Sequence, residues 1–175
     1  SLAQGPTADT CLEWMGLRRR DQHTILDLDY RPSLWASRDA ARAMATRAIA
    51  LATVVVGNRE ECEVAVGTSD PDAAAAALLA AGARLAIVKL GADGALLATA
   101  SERINIAAIP IDLVCGLGAG DAFGGALCHG LLNDWSLERI GRTANAAGAL
   151  VSTRLTCAEA MPTIAELDAM MAGAA

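Results

Sequence analysis

A glycine-rich turn followed by a single acid has the residue types needed to bind an anion and to accept a proton. The segment 114–127 reads VCGLGAGDAFGGAL, with three glycines among the five residues 116–120. A turn of this kind at the start of a helix leaves backbone N–H groups without helical partners, and the helix dipole adds partial positive charge there. Phosphate is the anion that such a position most often binds.

The acid is Asp121, in the first turn of a helix predicted over 119–132. A carboxylate at this position can simply stabilise the helix start. It can also accept the proton of a hydroxyl that attacks a phosphoryl group, while the turn stabilises the charge on the transferred group. The second role explains why an acid stands where it would compete with a bound anion. The segment therefore favours a kinase that acts on an alcohol, with helix stabilisation as the open alternative.

The run from Gly118 to Leu127 resembles the second sequence motif of the ribokinase-like (PfkB) carbohydrate kinases. The resemblance implies that Asp121 is the catalytic base. It also implies an anion hole made by three consecutive backbone amides, those of Gly118, Ala119 and Gly120. Members of the family usually carry Asp or Asn, then Thr or another small residue, where this chain has Cys115 and Gly116. That departure concerns a cation or hydroxyl contact and leaves the base in place.

Asn58 and Glu61 follow a predicted strand over 53–56 and begin the next helix. The spacing Asn-x-x-Glu is a variant of the capping box, in which side chain and backbone satisfy each other at a helix start. The same spacing matches a family motif, and the resemblance implies that the pair organises Mg²⁺ and the phosphates, partly through water. Mg²⁺ binds readily to few protein ligands combined with phosphate oxygens and waters. Both roles remain open, and they are compatible.

The segment KLGADG at 89–94 is similar to the family's strand and turn beside the nucleotide phosphates and ribose. The resemblance assigns Lys89, Gly91 and Gly94 to ATP binding, with the lysine charge assisting the phosphates. The alternative for Lys89 is a lysine at a strand end that reaches water. Asn145 matches the helix that lines the adenine pocket in relatives, although a helix so rich in small residues also suits close packing.

The segment DLDYRP at 27–32, followed by Trp35, resembles the Asp-x-Asn/Asp-x-Arg-Pro segment of family members that phosphorylate keto-deoxy sugar acids. The closest similarity is to the branch that acts on 5-dehydro-2-deoxygluconate in inositol catabolism; 2-keto-3-deoxygluconate or another sugar remains an alternative. A guanidinium offers a bidentate grip on a carboxylate, so Arg31 and Asp29 are the candidate substrate residues. The alternative is that Arg31 only pairs with Asp27 or Asp29.

Strands alternate with helices along the chain, which predicts an α/β fold with a mainly parallel sheet flanked by helices. Strands are predicted at 24–29, 53–56, 84–89, 95–98, 104–108 and 109–114. Helices are predicted over 9–20, 38–50, from 58, over 70–81, 119–132 and 136–153, and from 163. Ligands of such sheets gather where strands end and helices begin. The candidate segments at 27–31, 58–61, 89–94 and 116–121 all have such positions, which predicts one shared site.

Composition narrows the class of protein. The chain has 175 residues, is 54% hydrophobic and carries a net charge of −6, which suits one compact domain over 1–175 and argues against a nucleic-acid-binding surface. No apolar run reaches the length of a membrane span, so we expect no membrane partner. The five scattered cysteines lack C-x-x-C spacing and indicate a reduced, cytoplasmic setting.

The resemblance covers only the C-terminal half of family members, so the N-terminal half and the lid are expected to be missing. Two hypotheses follow. The chain is the catalytic and nucleotide-binding part of an ATP- and Mg²⁺-dependent sugar-acid kinase. Alternatively, it is a truncated, non-catalytic fragment that binds nucleotide or phosphate and associates with itself, as a homodimer, through an exposed sheet edge.

Overall fold

A computed structural model describes residues 2–155 and 157–173 of the chain. Within these residues the α-helices are α1 Thr7–Leu17, α2 Arg38–Leu51, α3 Arg59–Val66, α4 Pro71–Ala80, α5 Ala119–Leu132, α6 Leu137–Ser152 and α7 Ile164–Gly173. The strands are β1 Ile25–Asp27, β2 Val54–Asn58, β3 Leu85–Lys89, β4 Ala95–Ala98 and β5 Arg103–Ile106. These elements confirm the predicted α/β class.

The strands form one mixed sheet in the order β1-β2-β3-β4-β5. The first three strands are parallel, with Asp27 beside Val56 and Asn58 beside Lys89 in the register. Because parallel strands point the same way, their carboxyl ends lie at one edge of the sheet. That edge carries the polar residues described below.

The described chain divides into two compact units. The first comprises the chain up to Leu90 together with Leu96–Arg103, and the second comprises Gly91–Ala95 and the chain from Ile104 onward. The prediction that residues 1–175 form a single domain stays a prediction.

The first unit has an apolar core built on its parallel strands. Val55 and Val88 are fully buried, and Ile49 of α2 and Leu78 of α4 are buried to the same degree. Runs of β-branched residues such as Val54–Val56 fit the pleated, buried centre of a sheet. The core therefore fixes the directions in which β1, β2 and β3 end.

The second unit is organised by the pair α5 and α6. Leu127 of α5 and Val151 of α6 are fully buried, and alanines at 144 and 147 leave little side-chain bulk between the helices. A Cβ at Gly130 would come within 2.7 Å of Ile140 Cγ1, so the two helices approach closely there. Small residues at such a crossing allow close backbone approach, as the sequence indicated.

The predicted helix starts are confirmed by their caps. The side chains of Ser37, Asn58, Asp70 and Ser136 each accept a hydrogen bond from a backbone N–H in the first helical turn. At α7 the Thr163 hydroxyl accepts from the Glu166 N–H, and the Glu166 carboxylate accepts from the Thr163 N–H and hydroxyl. These short polar side chains determine helix starts because they satisfy N–H groups that the helix cannot.

Several predicted boundaries change, and the strand predicted over 24–29 is limited to Ile25–Asp27. The strand predicted over 109–114 is absent: the N–H groups of Val114 and Cys115 donate to the Ser152 carbonyl at the end of α6, and Leu113 and Val114 are exposed. An apolar run forms a strand only where a neighbouring strand offers a ladder, and here the helix end takes its place. The strand predicted over 104–108 is shorter, ending at Ile106, and the helix predicted over 9–20 spans Thr7–Leu17.

Candidate active site

Four polar residues at the ends of the three parallel strands form what we call the strand-end cluster: Asp27, Asn58, Glu61 and Lys89. Asp27 ends β1, Asn58 ends β2 and Lys89 ends β3, while Glu61 lies in the first turn of α3. The register of the strands brings these side chains to one edge of the first unit. The cluster combines two carboxylates, one amide and one ammonium group.

Asn58 and Glu61 form a complete capping box at the start of α3. The Asn58 Oδ1 accepts from the Glu61 N–H at 2.9 Å, and the Glu61 Oε2 accepts from the Asn58 N–H at 2.6 Å. The capping role left open by the sequence is therefore confirmed. It also fixes the rotamer of Glu61, so that its carboxylate is held at the strand ends.

Lys89 is directed toward the carboxylates of the cluster. Its Nζ lies 3.5 Å from Asp27 Oδ2 and 3.9 Å from Glu61 Oε2, and only 20% of its side chain is exposed. The alternative of a strand-end lysine that reaches water therefore holds for only a small part of this side chain. The ammonium group is held between two acids that come from β1 and α3.

Burial governs the electrostatics of Glu61. Desolvation raises its pKa, while the Lys89 charge and the Asn58 N–H oppose that rise and the charges of Asp27 and Asp29 add to it. Burial likewise raises the pKa of the neighbouring Cys62 thiol to about 12, so this cysteine is a packed thiol.

The donor set of the cluster fits a magnesium ion. It offers carboxylate and amide oxygens, which are the ligands Mg²⁺ prefers, and the two acids outnumber the single ammonium. The reciprocal cap already uses Asn58 Oδ1 and Glu61 Oε2, so contact through water suits the geometry better than a full protein cage.

Asp29 and Arg31, the candidate substrate residues, lie just beyond β1. Asp29 adopts a left-handed conformation with φ of 33°, its N–H donates to Asp27 Oδ1 at 3.2 Å, and its Oδ1 accepts from Arg31 Nε at 2.9 Å. Asp tolerates this region better than most residues because its side chain bonds locally. The pairing that the sequence offered as an alternative for Arg31 is therefore present.

A cavity of about 280 Å³ opens beside the same strand end. Its apolar lining includes Leu28, Leu34 and Trp35, and Asp27, Asp29 and Glu61 contribute acidic groups to it. The first unit thus places Asp29 at a concave surface, while Arg31 does not line the cavity.

In the second unit, the glycine turn leads directly into α5. Gly118 is the N-cap residue with φ of 86°, a left-handed conformation that favours glycine, and no side chain in the described chain caps this helix. The Ala119 N–H donates to Gly116 O at 3.3 Å, and the Ala122 N–H donates to Gly118 O at 2.9 Å. The amides of Gly120 and Asp121 lie between them, at positions where a helix supplies no partner.

Two further contacts within this unit hold the turn in shape. A Cβ at Gly118 would come within 2.6 Å of Cys157 Sγ, and a Cβ at Gly148 of α6 would come within 3.2 Å of Ala119 O. The turn is therefore packed on both α6 and the segment at Cys157. Sequence reasoning missed Cys157, because nothing in its own neighbourhood indicates a contact with a turn almost forty residues earlier.

Asp121 is exposed at the third position of α5. It takes part in no ion pair or side-chain hydrogen bond found among residues 2–155 and 157–173. A carboxylate that is neither buried nor paired remains available to an incoming hydroxyl. The role of Asp121 as a general base stays a prediction.

The remaining nucleotide candidates lie on both units. Gly91 and Gly94 belong to the second: Gly91 begins the 3₁₀ turn Gly91–Asp93 between β3 and β4, Gly94 follows that turn, and both have positive φ values, 63° and 94°. A Cβ at Gly94 would collide with the Ile106 carbonyl, so the close approach of two backbones requires glycine there. Lys89 belongs to the first unit and makes the ion pairs described above.

Asn145 lies at a cavity of about 340 Å³ within the second unit. The cavity is lined by the segment 104–110 and by Glu138, Arg142, Asn145 and Met171. The Asn145 Nδ2 donates to the Ala107 carbonyl at 3.0 Å, so this amide joins α6 to the segment after β5. The cavity combines apolar walls with a few fixed polar groups, as small-molecule sites do.

The structure thus brings the candidates together in two groups. Asp29, Arg31, Asn58, Glu61 and Lys89 share the strand ends of the first unit, whereas the glycine turn, Asp121, Gly91, Gly94 and Asn145 belong to the second. The prediction of one site shared by all of them stays a prediction. The sequence indicated Asp27 only as a partner of Arg31, whereas in the structure it forms an ion pair with Lys89.

Comparison with known protein families gives the family of this chain. The model of the pfkB family of carbohydrate kinases matches residues 2–164. The chain belongs to this family. Among curated relatives, the 5-dehydro-2-deoxygluconokinase of Shouchella clausii is 29% identical over 175 residues, covering 98% of this chain and 54% of the relative. The chain therefore spans about half the length of the curated relatives it matches.

Solved structures agree with this assignment. The aminoimidazole riboside kinase of Salmonella enterica, in complex with aminoimidazole riboside and an ATP analogue, is 31% identical with a TM-score of 0.83, covering 97% of this chain and 59% of that one. A ribokinase II of E. coli in complex with ATP and Mg²⁺ is 26% identical with a TM-score of 0.79, covering 87% and 49%. The ribokinase-like fold of the pfkB chain is confirmed. Among its described residues, no helix has both the length and the apolar character that crossing a membrane requires.

Proposed function

We propose that this pfkB chain is the base-carrying and nucleotide-binding part of an ATP- and Mg²⁺-dependent kinase that phosphorylates a sugar acid, with 5-dehydro-2-deoxygluconate as the favoured substrate. One observation carries the proposal: Asp121 lies three residues after the glycine N-cap of α5, is exposed and has no ion pair among the described residues. An acid and an anion site on adjacent residues are what phosphoryl transfer to an alcohol needs.

Asp121 accepts the proton of the substrate hydroxyl. The hydroxyl oxygen then bonds to the γ-phosphorus of ATP, the bond from that phosphorus to the bridging oxygen breaks, and ADP leaves with the electron pair. The amides proposed to stabilise the negative charge on the transferred group are those of Gly118, Ala119 and Gly120. The Ala119 N–H has to give up its 3.3 Å hydrogen bond to the Gly116 carbonyl to take part. The turn is suited to this task because Cys157 and Gly148 pack against it and hold its shape.

The strand-end cluster orients the phosphates in this proposal. Asn58 and Glu61 hold Mg²⁺ through water, and the ion neutralises phosphate charge when bound. The capping box keeps the Glu61 carboxylate fixed for that purpose. Lys89 adds a positive charge at the same strand ends.

The cavity at Asn145 accommodates the adenine ring. A planar, mostly apolar ring with a few hydrogen-bonding groups suits a site lined by Ile106, Ala108 and Pro110 with Asn145 and Arg142 at its rim. Gly91 and Gly94 carry no side chains, so the ribose and phosphates can approach the backbone at both ends of the 3₁₀ turn Gly91–Asp93.

The choice of a sugar acid rests on the relatives and on Arg31 and Asp29. Curated relatives matched over nearly the whole chain are named 5-dehydro-2-deoxygluconokinase. The exposed Arg31 guanidinium can exchange Asp29 for the substrate carboxylate, since the two are comparable anions. A cytoplasmic location and a single domain over 1–175 complete the proposal.

A second proposal rests on the glycine turn, whose N-cap position suits an anion whether or not turnover follows. In it the chain is non-catalytic and binds nucleotide or phosphate, with a homodimer formed through an exposed sheet edge. The two proposals differ in turnover and agree on binding.

Replacement of Asp121 by Asn tests the proposed base. We expect the rate of ADP release in a coupled kinase assay on this chain to fall by about 10²- to 10⁴-fold, because the amide cannot accept the proton. The matched control is Asp112→Asn, which removes an exposed acid of the same unit. ATP–Mg²⁺ binding by calorimetry should be unchanged in both variants. Near-normal turnover in Asp121→Asn would refute the base, and ATP binding without turnover in the unmodified chain would favour the non-catalytic fragment.

A further inference from the structure

Lys89 occupies the place at the strand-end cluster where a cation is needed. Its ammonium group lies between Asp27 Oδ2 and Glu61 Oε2, at 3.5 and 3.9 Å, and the side chains of Lys89 and Glu61 are only 20% and 10% exposed. Charges that are withdrawn from water in this way depend on each other, because little solvent remains to stabilise either alone. The lysine therefore neutralises two acids, of which the proposed function assigns Glu61 to metal binding.

We propose that Lys89 is an internal counter-cation that a phosphate group must draw away before a divalent metal ion binds at Asp27 and Glu61. This inference rests on the proposed function, which places metal and phosphate at Asn58 and Glu61. With Lys89 in place the cluster attracts a divalent ion weakly. When a polyphosphate takes the ammonium as its own partner, both carboxylates are released, so phosphate and metal bind cooperatively.

The geometry of the cluster supports an exchange of partners. The distances from Nζ to the two acids are those of loose ion pairs, whereas the Glu61 carboxylate is held firmly by its 2.6 Å bond from the Asn58 N–H. Lysine is a point charge on a flexible stem and has no fixed fork geometry that would lock it to one acid. Lys89 can therefore move while Glu61 stays in position, and reciprocity of linkage makes each ligand improve the binding of the other.

Binding of Mn²⁺ alone, measured by electron paramagnetic resonance in mildly alkaline buffer, tests the first half of the inference. Mn²⁺ is suitable because it takes the same oxygen ligands as Mg²⁺. We expect Lys89→Met to bind Mn²⁺ about tenfold or more tightly than the unmodified chain, since a positive charge a few ångströms from the acids is removed. Lys89→Gln serves as a second variant should Lys89→Met fail to fold. Lys89→Arg, which keeps the charge, should bind as weakly as the unmodified chain.

Two controls show whether the effect belongs to this cluster. Arg38→Met removes an exposed cation of the same unit that pairs with Glu63, and it should leave Mn²⁺ binding unchanged. Adding Glu61→Gln to Lys89→Met should abolish the gain. Equal Mn²⁺ affinity in the unmodified chain and in folded Lys89→Met or Lys89→Gln would overturn the inference, as would a gain that survives Glu61→Gln.

The second half is tested on the unmodified protein. Lys89 is the only lysine in the sequence, so ¹³C-labelled lysine gives one side-chain NMR resonance. Metal-free inorganic tripolyphosphate should shift this resonance, and Glu61→Gln should shift it even without the polyphosphate. A resonance that tripolyphosphate leaves unmoved would overturn the exchange of partners.

Neither measurement depends on turnover. Tighter Mn²⁺ binding in Lys89→Met together with an active Asp121→Asn variant would remove the proposed base and leave the Lys89 inference standing. Unchanged Mn²⁺ binding in Lys89→Met together with an inactive Asp121→Asn variant would remove the Lys89 inference and leave the proposed base standing.

Discussion

The two candidate regions of this pfkB chain obtain their chemistry in different ways. The strand-end cluster is built from side chains, which satisfy one another through the Asn58–Glu61 cap and the Lys89 ion pairs. The glycine turn is built from backbone, and its single acid, Asp121, has no ion pair among the described residues. In the strand-end cluster the charges neutralise one another until a ligand displaces one of the side chains. In the glycine turn the acid has no such partner to displace.

Because of this difference, we expect the two regions to tolerate different substitutions. The turn depends on a conformation, so it should be sensitive to any added Cβ. The cluster depends on charges and caps, so it should tolerate changes in shape better than changes in polarity.

Gly118→Ala should be the most damaging change to stability. It places a Cβ at a φ of 86° and within 2.6 Å of Cys157 Sγ, so we expect a loss of about 2 kcal/mol in the free energy of unfolding, from backbone strain and the steric clash together. Urea denaturation followed by circular dichroism measures this loss.

Gly124→Ala is the control, because it lies in the same helix and a Cβ there would have no neighbour within 4 Å. It should gain about 0.5 to 1 kcal/mol, since alanine is the better helix former. Equal stabilities in the two variants would show that the turn does not depend on its backbone conformation.

Asn58→Ala should cost about 1 kcal/mol through loss of the α3 cap. Asp70→Ala removes the N-cap of α4 in the same unit and should cost a similar amount. The two variants should differ in calorimetric titration with ATP–Mg²⁺, where only Asn58→Ala is expected to weaken binding. Unchanged ATP–Mg²⁺ binding in Asn58→Ala would show that Asn58 serves only as a helix cap.

The smallest effect is expected at Glu166, whose pKa is shifted in the opposite direction from that of Glu61. The hydrogen bond from the Thr163 N–H and that from Arg154 lower the pKa of Glu166 to about 2, while burial raises the pKa of Glu61. A lowered pKa gives stability that is present above the ordinary value near 4.5 and is lost as the pH falls toward 2. A raised pKa gives stability at low pH that is lost as the pH increases.

Glu166→Gln should therefore flatten the fall in melting temperature between pH 4.5 and pH 2. The matched control is Glu159→Gln, an exposed acid of the same unit for which the acid side of the curve should keep its shape. A steeper curve in Glu166→Gln would contradict the assignment.

Local sequence was sufficient for much of the fold. Ser37, Asn58, Asp70 and Ser136 fix helix starts from within four residues, and the β-branched run at 54–56 specifies a buried strand. The glycine turn and Asp121 are also local, because a helix N-terminus and its first-turn acid are contiguous in the chain. These features were predictable since every atom they need lies nearby in sequence.

The apolar segment at 109–114 shows where local reading fails. Its composition is typical of a strand, but a strand exists only where another strand pairs with it, and Ser152 at the end of α6 takes that role instead. Lys89 shows the same limit at the site, because its two acids come from β1 and α3 and only the folded sheet brings them within ion-pair distance.

The sequence by itself determined the helix caps, the buried strands, the glycine turn and the identity of the acid that follows it, because these depend on residues within a few positions of one another. Tertiary structure alone decided the partners of Lys89 and the contact of Cys157 with the turn. It also decided that the segment 109–114 bonds to the end of α6 instead of forming a strand. Those outcomes depend on which distant segments share a surface once the core is packed, and no local pattern encodes that.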